Sequence, residues 1–313
     1  MRRPHRRCAR HAGDRPDPAA PPRARNPVAN AMREGRGGLC GRERGDSVGL
    51  PMSISFLEGG SRIRFSGKTD IGRVRDHNED NIFIPADFPL AVVSDGMGGH
   101  ACGEVASTIA VETVSGYYQQ TAGEVSPTWP FRMPQLAIER DRMTCAIKLA
   151  NNRIHETGVN DPSKKGMGCT VDAVYFTQGR IYVGHVGDSR VYRIRGGQIS
   201  QVTEDHSLLN DYRRMREMSG DELDNFGYKN VVVRALGLSQ NVFVDIFVEE
   251  YARGDIYLLC SDGLSGMITD QTILSTVTRF ESIDTAATQL INLANEAGGA
   301  DNISAVIVRI EAG

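Results

Sequence analysis

The sequence predicts an α+β fold, from three observations. Between residues 170 and 202, short apolar runs are separated by Gln178-Gly179, Gly187-Asp188 and Gly196-Gly197, which are meander and hairpin signals of an antiparallel sheet. Two long segments with apolar residues at helical spacing lie ahead of that meander. A second, shorter helical pair precedes one last strand. Each antiparallel sheet so formed has one apolar face to cover, and the helices can cover it.

In chain order, residues 62–71 open with the alternation Ile63, Phe65 and lead as a strand into the turn Thr69-Asp70-Ile71-Gly72. Residues 81–84 and 90–93 form a strand pair joined by a Pro-bounded turn at 85–89. After Gly103, the positions Val105, Ile109, Ala110 and Val114 have helical spacing, and the helix continues towards Gln120. Residues 121–134, with three prolines and the single Trp, form a loop. A second helix runs over about 135–157 with Leu136, Ile138, Met143, Ile147 and Ile154 as its inward stripe. Strands are expected at 170–176, 180–186, 189–195 and 198–202. Residues 206–230 are polar, charged and dotted with Met, with no strand period. Strands at 242–249 and 255–260, helices at about 270–277 and 284–296, and a strand at 303–310 complete the pattern.

The chain has 313 residues and a net charge of −3, unevenly spread. Residues 1–51 hold twelve Arg, no Lys and the acids Asp14, Asp17, Glu34, Glu43 and Asp46, a local charge of +7 against −10 for the remainder. Rich in Pro, Ala and Gly and without apolar periodicity, this extension cannot bury a core and is expected to be disordered. We expect translation to begin at Met52, where ordinary sequence begins. A basic arm for nucleic acid or membrane phosphates and an Arg-rich transit peptide are the alternatives, the second weakened by its acids. No apolar run is long enough for a signal segment or a membrane span. The rest suits one large domain, whose acidic balance argues against non-specific nucleic-acid binding. The six cysteines (Cys8, Cys40, Cys102, Cys145, Cys169, Cys260) show no paired spacing. Cys145, Cys169 and Cys260 sit in apolar or small-residue settings and are expected as reduced core thiols, which points to the cytoplasm.

Chemistry concentrates in Val92-Val93-Ser94-Asp95-Gly96-Met97-Gly98-Gly99-His100. β-branched residues run into Asp95 and then a glycine turn, which sets a carboxylate at a strand mouth and lets backbone approach a ligand closely. The same grammar recurs in Gly187-Asp188-Ser189-Arg190, Cys260-Ser261-Asp262-Gly263 and Ala300-Asp301-Asn302-Ile303, with Arg75-Asp76-His77-Asn78-Glu79-Asp80-Asn81 upstream. Acids at strand ends converge if the strands share a sheet. Converging carboxylates repel and are costly to desolvate unless cations neutralise them. Oxygen ligation without a His or Cys cluster points to Mg²⁺ or Mn²⁺ rather than Zn²⁺.

In this order the motifs resemble the metal-dependent protein serine/threonine phosphatases of type 2C, the PPM family, in their bacterial form, over residues 61–310. The resemblance implies a central antiparallel β-sandwich flanked by helices on both faces, a metal site at one end, and a variable flap at about 206–230. It implies hydrolysis of phosphoserine and phosphothreonine in proteins by a water activated between two Mn²⁺ or Mg²⁺ ions. By motif, Asp95 bridges the two ions. Asp262 and Asp301 serve one ion, with Asp80 acting largely through water, and Glu79 and the Gly96 carbonyl serve the other. Asp188 matches an acid that, with the equivalent of Asp262, helps hold a third, weaker ion. Arg75 matches the Arg that clamps the substrate phosphate, a task suited to a planar guanidinium. The partners implied are phosphorylated proteins, among them a bacterial Ser/Thr kinase of the Hanks (eukaryotic-like) type. We expect a cytoplasmic monomer.

The chain departs from the animal members at Met97, where they carry a candidate acid His; the proton donor is left open between a metal-bound water and His206. His100 reads as a loop residue, and His206, in Asp205-His206-Ser207, as a structural residue leading into the flap. Singly, each motif also fits a bland role: Arg75 as a surface ion pair, 76–79 as a turn cluster, Asp188 as a turn acid, Asp301-Asn302 as a cap. The bland reading needs all these coincidences in family order. A catalytically dead binding module typically loses metal acids, and here Asp80, Asp95, Asp262 and Asp301 are all present. A phosphatase of the anti-sigma-antagonist type is disfavoured because the full set, Arg75 included, resembles the general bacterial subfamily.

Overall fold

The computed structural model describes residues 53–85, 87–98, 102–121, 135–215 and 231–313. The Arg-rich extension, Cys8, Cys40, His100, nearly all of the loop expected at 121–134, and residues 216–230 of the expected flap lie outside the described residues.

Strands β1 (Ile54–Glu58) and β2 (Ser61–Asp70) form an antiparallel pair, as do β3 (Asn81–Phe83) and β4 (Leu90–Ser94). The short β5 (Gly96–Met97) leads towards α1 (Gly103–Thr121), and α2 (Gln135–Asn160) runs slightly past its expected end. After β6 (Gly168–Cys169), which pairs with β5, comes the meander β7 (Val171–Thr177), β8 (Arg180–Val186), β9 (Arg190–Arg195) and β10 (Gln198–Gln201). Helix α3 (Leu208–Met215) lies in the segment expected to carry no strand period. Then follow β11 (Asp245–Glu250), β12 (Ile256–Cys260), the single turn α4 (Asp262–Ser265), α5 (Asp270–Arg279), α6 (Ile283–Glu296) and β13 (Ile303–Ala312). The last two helices start where a hydroxyl can cap: Thr269 accepts from the Thr272 N–H and Ser282 from the Thr285 N–H.

The strands make a six-stranded sheet, β1-β2-β13-β12-β9-β10, and a five-stranded sheet, β11-β8-β7-β4-β3, with antiparallel neighbours throughout. The sheets share a core of Ile63, Phe65, Val93, Phe176, Tyr257 and Val306. On the outer face of the five-stranded sheet, Ala110 and Val114 of α1 and Met143 and Ile147 of α2 pack with Val92 and Ala173. On the outer face of the six-stranded sheet, Ile273 and Val277 of α5 and Leu290 of α6 pack with Leu258 and Ile307. The central strands are therefore covered on both sides and read as unbroken apolar runs: β12 is buried at every position. Phe65 and Phe176 meet edge to face, 5.7 Å between centroids, at the middle of the sandwich. Truncating either to Ala is expected to cost about 3–5 kcal/mol.

One expectation fails on this map. Cys145 is exposed, not in the core, because α2 buries Met143, Ala146, Ile147, Ala150 and Ile154, and Cys145 falls off that stripe. Cys169 and Cys260 are buried free thiols, and Cys102 is buried with its Sγ 3.2 Å from the Ser163 carbonyl. No described helix is long and apolar enough to cross a membrane.

Candidate functional site

Strand register gathers the predicted acids at one end of the sandwich. Asn81 at the start of β3 faces Ser94 at the end of β4, and Val93 of β4 faces Asp172 of β7. Val171 faces Val186 at the end of β8, and across the other sheet Cys260 faces both Arg190 and Ala305. Asp80, Asp95, Asp188, Asp262 and Asp301, each just outside one of these strand ends, thus leave the fold on the same side.

Asp80 is buried, and two serines reach it, Ser304 inside β13 and Ser261 just past the end of β12. The Ser261 and Ser304 hydroxyls stand 2.8 and 2.7 Å from its Oδ2, and the Ser304 N–H donates to Ser261 Oγ at 3.0 Å. Its Oδ1 is buried with no protein partner, the mark of an oxygen meant for a cation or its water. Burial, with Asp262 and Asp301 nearby, pushes the Asp80 carboxyl up to about 7 despite the serine hydrogen bonds.

Asp95 is tied at its backbone: its N–H donates to Thr170 Oγ1 at 2.9 Å and its carbonyl accepts from the Thr170 N–H at 2.8 Å. Thr170 Oγ1 also lies 2.7 Å from Ser189 Oγ, linking Asp95 to the turn that carries Asp188. Burial, then Asp80, Asp262, Asp188 and Asp301, drives the Asp95 carboxyl well above the usual range. Asp262, raised by burial and by Asp301, lies within hydrogen-bonding reach of Asp95. Asp188 is pushed up to about 7 by burial, with Asp262 and Asp205 adding to it. Carboxyls gathered this way must share protons or cations.

Glycine is needed here for space. A Cβ on Gly96 would stand 2.3 Å from the Gly103 carbonyl and 2.5 Å from the Glu79 carbonyl, and one on Gly263 2.0 Å from the Asn302 carbonyl. Asn302 stitches the approach to β3: its Oδ1 accepts from the Glu79 N–H at 2.8 Å, and its Nδ2 donates to the Ile71 and His77 carbonyls, each at 3.0 Å. Ser107 Oγ donates to the Glu79 carbonyl at 2.6 Å, and Glu79 Oε1 lies 3.1 Å from His77 Nε2. Arg75, 49 % exposed, donates from Nη2 to Asp301 Oδ2 at 2.6 Å. Burial works against its charge, yet Asp301, Glu79 and Asp95 raise its pKa. Arg75 thus does make an ion pair, but with an acid of the cluster.

Among the described residues, no three His, Cys, Asp or Glu side chains form a ready metal-holding group. An ion here would complete its shell with carbonyls and water, as Mg²⁺ and Mn²⁺ tolerate. The all-oxygen donors, the orphaned Asp80 Oδ1 and the mutual repulsion of the acids fit such ions. Beside the acids opens a cavity of about 380 Å³, lined by Asp188, Asp262 and Asp301 on one side and Asn210 and Arg213 of α3 on the other.

Sequence reasoning missed the supports: Ser261, Ser304, Thr170 and the triple role of Asn302. The available signal was a hydroxyl or amide inside or beside an apolar strand, one or a few residues from a motif acid. The site also leaves His206 with Asp245 and Gly187, not with the acids of the cluster.

Comparison with known proteins identifies the family and the fold. The family model described as "Protein phosphatase 2C" matches residues 73–300. The "Serine/threonine phosphatase stp" of Listeria monocytogenes is 35 % identical over 248 residues, 77 % of this chain and 93 % of that protein. The crystal structure of the Mycobacterium tuberculosis serine/threonine phosphatase PstP/Ppp superposes with a TM-score of 0.71 at 31 % identity, covering 80 % of this chain and 99 % of that one. The catalytic domain of PstP, solved in complex with two manganese ions, gives a TM-score of 0.67 at 30 % identity, with 80 % and 98 % covered.

Proposed function

The chain belongs to the protein phosphatase 2C family, and on that premise we propose that it hydrolyses phosphoserine and phosphothreonine in proteins at the acidic end of its sandwich. It is a metal-dependent protein serine/threonine phosphatase. One observation carries the assignment of the site: acids from both sheets, separated by more than two hundred residues in sequence, converge and raise one another's proton affinity.

Two divalent ions bound there would supply an activated water and neutralise phosphoryl oxygens. Asp95, reached electrostatically by the other acids, is the residue to bridge them. Asp262 and Asp301 would hold one ion, with Asp80 accepting from its waters through the free Oδ1. Glu79 and the Gly96 carbonyl would hold the second. Asp188, with Asp262, would hold a third and weaker one. Mn²⁺ and Mg²⁺ both suit the donors. Arg75 would grip and orient the phosphate with its fork of donors. The cavity flanked by α3 would take the residues around the phosphorylated side chain. Residues 61–310 would be the catalytic domain, with 1–51 outside it. The substrates would include a bacterial Ser/Thr kinase of the Hanks type, met by a cytoplasmic monomer.

The test is phosphate release from a phosphothreonine peptide by the full chain with Mn²⁺, with EDTA, and with Asp95→Asn. Release confined to the first condition is expected. Release that survives EDTA would sink the metal-dependent reading.

A further inference from the structure

Away from the acid cluster, the buried titratable groups collect where the chain approaches α3. Asp172 and His185 are wholly buried and hydrogen-bonded at 2.7 Å. His185 Nε2 lies 2.9 Å from the Glu204 carbonyl, and its ring centroid 4.6 Å from that of His206. His206 grips one residue twice: its N–H donates to the Gly187 carbonyl at 2.7 Å, and the Gly187 N–H donates to its Nδ1 at 3.0 Å. Gly187 precedes Asp188, has φ +124°, and a Cβ on it would stand 2.5 Å from the Thr170 side chain. The turn is therefore narrow and needs glycine.

The hydrogen bonds fix the tautomer. Because Nδ1 accepts, the ring hydrogen of neutral His206 is on Nε2, where it donates to Asp245 Oδ2 at 3.0 Å. Arg234 Nη1, 2.9 Å from the same nitrogen, then finds its acceptor in Asp245 Oδ1 at 3.0 Å. Burial, with His185 alongside, pushes the imidazole down to about 4, so the Nδ1 lone pair stays available. The His206 carbonyl accepts from the Val233 N–H at 2.8 Å, and Ser207 bridges Val232. One residue thus touches the Asp188 turn, the stretch entering α3 and the stretch returning from the flap.

We propose that His206 is a positioning residue: it clamps the Gly187 peptide, so fixing Asp188, and pins both described ends of the flap segment to the same point. The proposal rests on the reading of Asp188 as holding the weaker ion. Through Thr170, which touches both Gly187 and the Asp95 backbone, the clamp also steadies the bridging acid.

The test compares wild type, His206→Ala, His206→Asn, His206→Gln and Asp188→Asn in the full chain. Two quantities are read: Mn²⁺ binding, by electron paramagnetic resonance of free ion, and hydrogen exchange at the Gly187 amide. Asn can place its amide oxygen near the Nδ1 position and Gln near the Nε2 position, so only Asn can keep the clamp. In His206→Ala we expect the weakest Mn²⁺ site to lose about 10–100-fold in affinity, as for loss of an outer-shell partner. The Gly187 amide should exchange at least about tenfold faster there, since its acceptor is gone. His206→Asn should restore both, and His206→Gln neither. Wild-type exchange and Mn²⁺ binding in a folded Ala variant overturn the proposal. If Ala does not fold, equal behaviour of Asn and Gln overturns it. If Asp188→Asn binds Mn²⁺ like wild type, the ligand role of Asp188 falls, and amide exchange alone decides the clamp.

Discussion

Asp80 and Asp188 sit at opposite sides of one cluster and are held by different kinds of partner. Asp80 is held by the hydroxyls of Ser261 and Ser304, which lie on the same strand ends that carry Asp262 and Asp301. Asp188 rides on a turn whose amide is held by His206, a residue from the approach to the flap. The first side is built from the two sheets and can shift only if they shift. The second depends on a segment that also lines the neighbouring cavity, through Asn210 and Arg213. On the proposed assignment of the ions, this difference would set a more rigid pair of sites beside a looser one, and the looser one would be coupled to whatever displaces α3.

Asp95→Asn should break both sides at once. If Asp95 is shared by two ions as proposed, turnover should fall by at least ~10³-fold, about 4 kcal/mol of transition-state stabilisation. The same substitution removes a buried acid that burial and four other acids drive towards its neutral form. Its melting temperature in EDTA should therefore stay level or rise. A variant that is inactive because it melts early would show that Asp95 is structural.

Acid should discriminate the sides. His206 is neutral in the fold down to about 4, whereas an unfolded His protonates near its usual 6.5. A group whose folded pKa is lowered contributes stability above its unfolded pKa that is lost as pH falls towards the folded one. Between about pH 6.5 and pH 4 the wild type should lose up to ~3 kcal/mol through this residue, at about 1.4 kcal/mol per pH unit. His185, Arg234 and Asp245 face the same ring and set its environment, and Asp172 holds His185 from behind. His206→Asn should flatten that part of the curve, measured by urea unfolding at each pH. An unchanged acid limb would show that the loss comes from elsewhere.

Asn302→Ala probes the rigid side, removing three hydrogen bonds that join Ile71, His77 and Glu79 to the start of β13. About 2 kcal/mol of stability should go with them, since the part-buried Ile71 and His77 carbonyls can rehydrate while the buried Glu79 N–H is left unpaired. The Gly187 amide should be indifferent.

Much of this was legible because burial on both faces leaves a strong trace. Ile256–Cys260 and residues 90–93 are apolar along their length, and the acid with its small neighbour marks where each stops. Strand β1 left no such trace, as an edge strand with alternate residues exposed beside a segment lacking any pattern. Helix α3 was equally hidden, since none of its residues is buried and its apolar stripe of Leu208, Leu209, Tyr212 and Met215 spans only two turns of an otherwise polar, charged segment. The acids were readable one by one from the Asp-Gly, Asp-Ser and Asp-Asn grammar. Their supports were not, because a serine in a strand looks the same whether it meets solvent or a carboxylate. His206 read as structural for a similar reason: its meaning lies in Gly187 and Val233, and only the fold brings those two to it.

The smallest effect should come from the serines that hold Asp80, and it sharpens the comparison most. Ser304 Oγ stands between Asp80 Oδ2 at 2.7 Å and Thr69 Oγ1 at 2.9 Å, while Ser261 Oγ reaches the same Oδ2. Ser304→Ala should cost about 1 kcal/mol, the net worth of a buried hydrogen bond whose acceptor keeps a second donor. The Ser261→Ala, Ser304→Ala double variant should cost more than the sum of the singles, because only then is Asp80 stripped of both donors. Denaturant unfolding of the four proteins in EDTA gives the coupling, and strict additivity would mean the serines act independently of Asp80. Mn²⁺ added to the double variant should recover part of the loss, as the ion takes over the charge that the hydroxyls had been holding.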